Sequence, residues 1–214
     1  MSSIDGIDVV FVAGPPGAGK TTVTEEYEKS NPAAVQFGTG DLMRGIREGC
    51  IDSKYSTILR EASERRLPVP SDIFSMVVRE QIIRTADTAE TVMVTGFPYG
   101  HSDWKFFKDT ISDEGIKPIG AVVLNIGMDI SVTRMNERDI KKGADVKVVY
   151  SSKEHLAYEE RYQMLIGRLA IRLDCYRQLG LSIMPVFAER PLVEVCADFN
   201  KAIDTLKEKK KYNE

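Results

Sequence analysis

An apolar run, Val9-Val10-Phe11-Val12, leads into Gly14-Pro15-Pro16-Gly17-Ala18-Gly19-Lys20-Thr21, and a helix-compatible segment follows from Thr21 to Lys29. The eight-residue segment has the spacing G-x-x-x-x-G-K-[ST] of a phosphate-binding loop between a strand and a helix. Glycines let the backbone wrap an anion without a Cβ clash. The loop N–H groups and the helix N-terminus behind them form an anion site. Lys20 is placed to reach the β- and γ-phosphates of ATP, and the Thr21 hydroxyl to serve Mg²⁺. Gly14, Pro15, Pro16, Gly17, Ala18, Gly19, Lys20, Thr21 and Thr22 are therefore the expected ATP-binding segment. A plain Gly/Pro turn is the alternative, and the correct flanks on both sides argue against it.

Four more short runs read as strands: Ala34–Phe37, Val92–Thr95, Ala121–Ile126 and Ser182–Phe187. Most are apolar and β-branched, as strands buried on both faces should be. Helix-length stretches separate them, which predicts an α/β fold with a parallel sheet between helical layers. The stretches Gly38 to Glu90 and Gly127 to Gly180 are too long for one crossover helix. Each has room for a small lobe over the sheet's C-terminal edge, where ligands bind in open α/β sheets.

At 214 residues the chain suits one domain. Its net charge of −3 gives no basic field for nucleic acid. No apolar run approaches membrane-span length, and Met1–Asp5 lacks a signal-peptide layout. Cys50, Cys175 and Cys196 form no C-x-x-C pair and read as reduced thiols of a cytoplasmic protein. Lys207–Lys211 reads as a solvated helix end.

Arginines carry the remaining signal. Asp129 reads as the N-cap of a helix bearing Arg134 and Arg138 on one face. A long helix from about Lys153 to Leu179 has an apolar face of Tyr162, Leu165, Leu169, Leu173 and Tyr176. Beside it Arg161, Arg168 and Arg172 fall within an arc of roughly 40°. Three cations on one face call for something anionic opposite, although Arg168 reads as solvated.

Taken in order, these segments resemble the nucleoside monophosphate kinases of the adenylate kinase type. The phosphate loop matches. Thr39-Gly40-Asp41-Leu42-Met43-Arg44 resembles the motif opening that family's monophosphate-binding lobe, and Leu67-Pro68-Val69-Pro70-Ser71-Asp72 the segment closing it. Gly96-Phe97-Pro98 resembles the start of its G-F-P-R motif. Arg134 and Arg138 match the arginines before its lid, and Arg161 and Arg172 those after it.

The resemblance implies a single P-loop kinase domain, residues 1–214, with a five-stranded sheet of order 2-3-1-4-5. The core would span 1–38, 73–138 and 158–214, the monophosphate lobe 39–72 and the lid 139–157. Lys20, Arg138, Arg161 and Arg172 would be catalytic, surrounding the transferring phosphoryl group. Arg134 would flank the donor base. Thr39, Arg44, Gly96, Tyr99 and Asp103 would form the acceptor site. Thr21 and Asp41 would serve Mg²⁺, in part through water. Phosphoryl transfer needs this cationic set because the two phosphates repel each other.

Several positions depart from the family. Thr95 replaces an acid that holds water on Mg²⁺. Tyr99 replaces an arginine on the acceptor phosphate. Asp103 replaces a glutamine that reads adenine, and an ionised acid can only accept hydrogen bonds. The lid interval has no cysteine, so no zinc staple is expected, and His155 reads as surface. His101 and Trp104 are candidates for lining the acceptor pocket. The expected function is ATP- and Mg²⁺-dependent phosphorylation of a nucleoside monophosphate by a monomer without nucleic-acid or membrane partners. The alternatives are a catalytically weak nucleotide-binding protein and a kinase of a small non-nucleotide metabolite.

Overall fold

The computed structural model describes residues 7–86, 88–111, 116–141 and 153–213. Residues 142–152, most of the expected lid, and Met1–Asp5 lie outside the described residues, as does the His155 side chain. Five parallel strands form one sheet: β1 (Asp8–Ala13), β2 (Ala34–Gly38), β3 (Thr91–Thr95), β4 (Lys117–Asn125) and β5 (Ile183–Phe187). Their order is β2-β3-β1-β4-β5, as the resemblance implies. The helices are α1 (Lys20–Ser30), α2 (Thr39–Glu48), α3 (Ser56–Glu64), α4 (Ser71–Ala86), α5 (His101–Ile111), α6 (Met128–Lys141), α7 (Lys153–Gln178) and α8 (Leu192–Asn213).

Alternation along the strands divides the core. Val9, Phe11 and Ala13 of β1 face one side, with Val92 and Val94 of β3. There they meet Phe74 and Val78 of α4, Trp104 and Phe107 of α5, and Tyr176 of α7. Val10 and Val12 face the other side and pack with Val23 and Tyr27 of α1 and Phe199, Ile203 and Leu206 of α8. A strand whose two faces are both covered must be apolar throughout, which is why Val9–Val12 shows no polar alternation. Phe11 lies at the centre, its ring stacked on Tyr176 at 5.2 Å. A small third core joins Leu42 and Ile46 of α2 to Leu59 of α3 and Val77 of α4.

Three local readings change. β4 begins at Lys117, four residues before the expected Ala121, although Pro118 and Gly120 look like turn residues. The strand absorbs them through a register shift opposite Val9 and Val10. A side chain at 120 would collide with Ser182 O and Leu206, so glycine is there to let strand and helix close up. α6 starts at Met128, which puts Asp129 inside its first turn rather than at the cap. Trp104 is buried in the aromatic core between Phe11, Phe97 and Tyr176, away from any acceptor pocket. Among the described residues, no helix is long and apolar enough to cross a membrane.

Candidate active site

The phosphate loop joins β1 to α1 at the C-terminal edge of the sheet. Gly17 has φ +72°, and a Cβ there would lie 3.0 Å from Ser131 O and 3.2 Å from Arg134 Cβ. Only glycine allows both the left-handed backbone and the approach of α6. α6 is fastened to the loop by Ser131, whose Oγ donates to Pro16 O at 2.6 Å, and by Arg134, whose Nη1 donates to Gly17 O at 3.3 Å.

Lys20 Nζ donates to Gly14 O at 2.9 Å and to Pro15 O at 2.8 Å, so its ammonium is tucked into the loop. Burial lowers its pKa to about 8, and the charges of Arg172 and Arg138 push the same way. Two of the expected catalytic cations, Arg172 and Arg138, thus act on a third, Lys20. Arg161 stands further off, on the exposed side of α7. It and Arg138 lie near Asp139, whose carboxyl accepts from the Tyr158 hydroxyl at 2.8 Å. Burial works against that carboxylate, yet the Tyr158 hydrogen bond and the Arg138 charge hold its pKa below the usual range.

Three cavities surround this loop edge. One, of about 270 Å³, is lined by Gly17, Ala18, Thr22, Arg134, Arg190 and Leu192. Arg134 is where a donor-base contact was expected. Arg190 and Leu192 were not anticipated. Their sequence signal is position, just after the last strand, with Arg190 in the connecting loop and Leu192 opening α8.

A second cavity, of about 260 Å³, holds both expected metal residues, Thr21 and Asp41, together with Glu25, Gln36 and Gln81. Thr95 Oγ1 and Asp41 Oδ2 face each other across Gly38. A hydroxyl and carboxylates form an oxygen donor set that suits Mg²⁺. Glu25 is a residue the sequence reading missed.

The third cavity, of about 500 Å³, is lined by Met43, Pro68, Val69, Phe74, Tyr99 and Asp103 among others. Thr39 is buried at the start of α2, its Oγ1 against Gly96. Arg44 is exposed and paired with Asp41 at 2.8 Å, and it does not line this cavity.

The turn after β3 is held from two helices. Arg172 Nη2 donates to Gly96 O at 2.9 Å and its Nε to Pro98 O at 2.8 Å. The Tyr176 hydroxyl donates to Phe97 O at 2.6 Å. Asp103 Oδ2 accepts from the Tyr99 and Gly100 N–H groups at 3.0 and 2.8 Å. Five polar backbone groups of this turn, the Gly96, Phe97 and Pro98 carbonyls and the Tyr99 and Gly100 N–H groups, thereby gain a side-chain partner. The Phe97–Pro98 peptide bond is cis.

These contacts revise four sequence expectations. Arg172 is a buried turn-holder as well as a neighbour of Lys20, its guanidinium donating to two carbonyls of the turn. Asp103 spends one carboxylate oxygen on backbone donors. Arg168, expected to be solvated, places its guanidinium 5.0 Å from the Tyr99 ring centroid. His101 is exposed and paired with Asp174 at 2.8 Å instead of lining the acceptor cavity.

The loop, the sheet order and the flanking cavities define a P-loop kinase fold. No protein-family model matches the chain. Individual proteins do. Adenylate kinase isoenzyme 1 of Cyprinus carpio is 26% identical over 199 residues, covering 93% of this chain and 95% of that protein. UMP-CMP kinase of Rattus norvegicus is 26% identical over 204 residues, covering 92% and 96%. UMP-CMP kinase 2 of Caenorhabditis elegans is 23% identical over 204 residues, covering 94% and 99%. The chain is a relative of the nucleoside monophosphate kinases of the adenylate kinase type along nearly its whole length.

Proposed function

We propose that the chain transfers the γ-phosphoryl group of ATP to a nucleoside monophosphate. The observation that carries this reading is the linked cationic set of Lys20, Arg138 and Arg172. Lys20 sits in the phosphate loop, and Arg172 lies 5.8 Å from the centroid of the Tyr99 ring that walls the 500 Å³ cavity. Cations that join a triphosphate loop to a second cavity are what two repelling phosphates need. The 270 Å³ cavity would take the donor base against Arg134, and the 500 Å³ cavity the acceptor base.

Mg²⁺ would be held by Thr21 and Asp41, in part through water, and would supply charge neutralisation on the triphosphate. The core, lobe and lid divisions given above, a monomeric state and a cytoplasmic location belong to the same proposal. Lys20 keeps the phosphates aligned, while Arg138 and Arg172 add charge that counts most as negative charge builds up between the nucleotides.

A second reading is nucleotide binding with little turnover. It draws on Arg44, which is occupied by Asp41, and on Arg172, which is occupied by two carbonyls. An ATP/Mg²⁺ assay against a panel of ribo- and deoxyribonucleoside monophosphates separates the two. Diphosphate product from at least one acceptor supports the kinase. Tight ATP binding with no product from any of them supports the second reading.

A further inference from the structure

Arg168 stands over the ring of Tyr99, a wall of the 500 Å³ cavity. It lies on α7 with Met164, Leu165, Ile171 and Arg172 as its helical neighbours, so no acid sits one turn away. Among the described residues it contacts the Tyr99 ring at 5.0 Å and has no carboxylate partner. Arg172 reaches the same ring at 5.8 Å. Two guanidinium groups over one ring repel, and burial together with the Arg168 charge lowers the Arg172 pKa. Arg172 commits its Nε and Nη2 to the turn carbonyls. Arg168 keeps its planar fork of donors for a ligand, and such a fork matches phosphate oxygens.

The seat matters as much as the charge. Tyr99 is pinned edge-on by Phe74 at 5.0 Å, and both rings line the 500 Å³ cavity. The Arg168 guanidinium lies 5.0 Å from a ring that lines this cavity, whose other walls include apolar Met43, Pro68, Val69 and Phe74. This arrangement fits a ligand with a flat, largely apolar body and one phosphomonoester.

We propose that Arg168 grips the acceptor's phosphate from its seat on Tyr99, so that α7 supplies the positive charge that position 99 lacks. This rests on reading the 500 Å³ cavity as the acceptor site. Tyr99 is then a platform for a cation rather than a missing one.

The test is calorimetric binding of AMP, CMP, GMP and UMP, each beside its nucleoside, to the parent chain, Arg168→Ala and Arg168→Lys. In Arg168→Ala the monophosphate that binds the parent should weaken on the order of tenfold or more. Its nucleoside, and ATP, should bind unchanged. Arg168→Lys should fall between, since it keeps charge but loses the fork. Adding Tyr99→Arg to Arg168→Ala should restore most of the loss, an outcome that a merely structural role for Arg168 would not give. Unchanged monophosphate affinity in Arg168→Ala, or equal loss for the nucleoside, overturns the assignment, and so does a parent chain that binds none of the four. Turnover decides the wider reading separately. Arg168-dependent binding without product would leave this assignment standing and sink the kinase. Product with Arg168-independent binding would do the reverse.

Discussion

Arg172 Nε donates to the Pro98 carbonyl at 2.8 Å, while the same guanidinium reaches Gly96 O at 2.9 Å. One α7 side chain therefore spans the turn that carries Tyr99 to the wall of the 500 Å³ cavity. The turn cannot relax without moving that wall, and α7 cannot shift without dragging the turn.

Removing that fork should hurt stability and catalysis together. Arg172→Ala leaves two carbonyls without their donors and is expected to destabilise the fold by about 2–3 kcal/mol. For a chain of this size the unfolding midpoint should drop by roughly 5–10 °C. Arg172→Lys should recover only part, because the guanidinium reaches the two carbonyls with two separate nitrogens, Nε and Nη2, where lysine offers a single nitrogen. Turnover should fall more than triphosphate affinity in both variants. Thermal unfolding beside steady-state kinetics checks both parts, and a midpoint within a degree of the parent contradicts the first.

Lys20→Ala should abolish triphosphate-dependent turnover, with a loss of about a hundredfold or more. The ammonium sits within the loop that would cradle the donor's phosphates. Diphosphate formation measured at saturating ATP is the readout, and parental activity in the variant would remove the loop from the reaction.

The lowered Lys20 pKa gives ATP binding a defined pH dependence. In the free chain Lys20 titrates at about 8. A bound triphosphate favours the ammonium and raises that pKa. Between the two values binding takes up a proton, so affinity should hold constant below about pH 7 and decline as pH rises through 8. Calorimetry at about pH 8.5 in two buffers of different ionisation enthalpy should show net proton uptake. The uptake should vanish in Lys20→Ala. Zero uptake in the parent would mean that Lys20 stays charged in the free loop.

Asp103 tests turn-holding against base-reading. Asp103→Ala frees the Tyr99 and Gly100 N–H groups and should lower stability by about 1–3 kcal/mol. Asp103→Asn retains an oxygen acceptor and should recover most of it. If Asp103 also reads the acceptor base through its other oxygen, Asp103→Asn will change which monophosphate is preferred. Denaturant unfolding and the acceptor panel separate the two roles, and an unchanged unfolding midpoint for Asp103→Ala would rule out the first.

Much of the molecule was legible in residue order alone. Val9–Val12 had to be a strand covered on both faces, because four consecutive apolar residues cannot alternate between core and water. Gly14–Thr21 had to be an anion loop, because its glycines and lysine fall at fixed spacing between strand and helix. Asn31-Pro32 ended α1 where proline must. These are local constraints, and local chemistry states them. Arg134 is not local in this sense, since it lies on α6, 117 residues along the chain from the Gly17 carbonyl that it meets.

Tertiary structure decided which face each arginine uses. Arg161, Arg168 and Arg172 share one stripe of α7 in sequence, yet they do three different things. Arg172 faces the turn carbonyls and is buried, Arg168 sits on Tyr99, and Arg161 stays exposed near Asp139. Helical periodicity supplies the direction of a side chain but not what stands opposite it. Here the opposing groups lie about 70 residues upstream in the Gly96–Tyr99 turn, and only the packing of α7 across the sheet brings them within hydrogen-bonding reach.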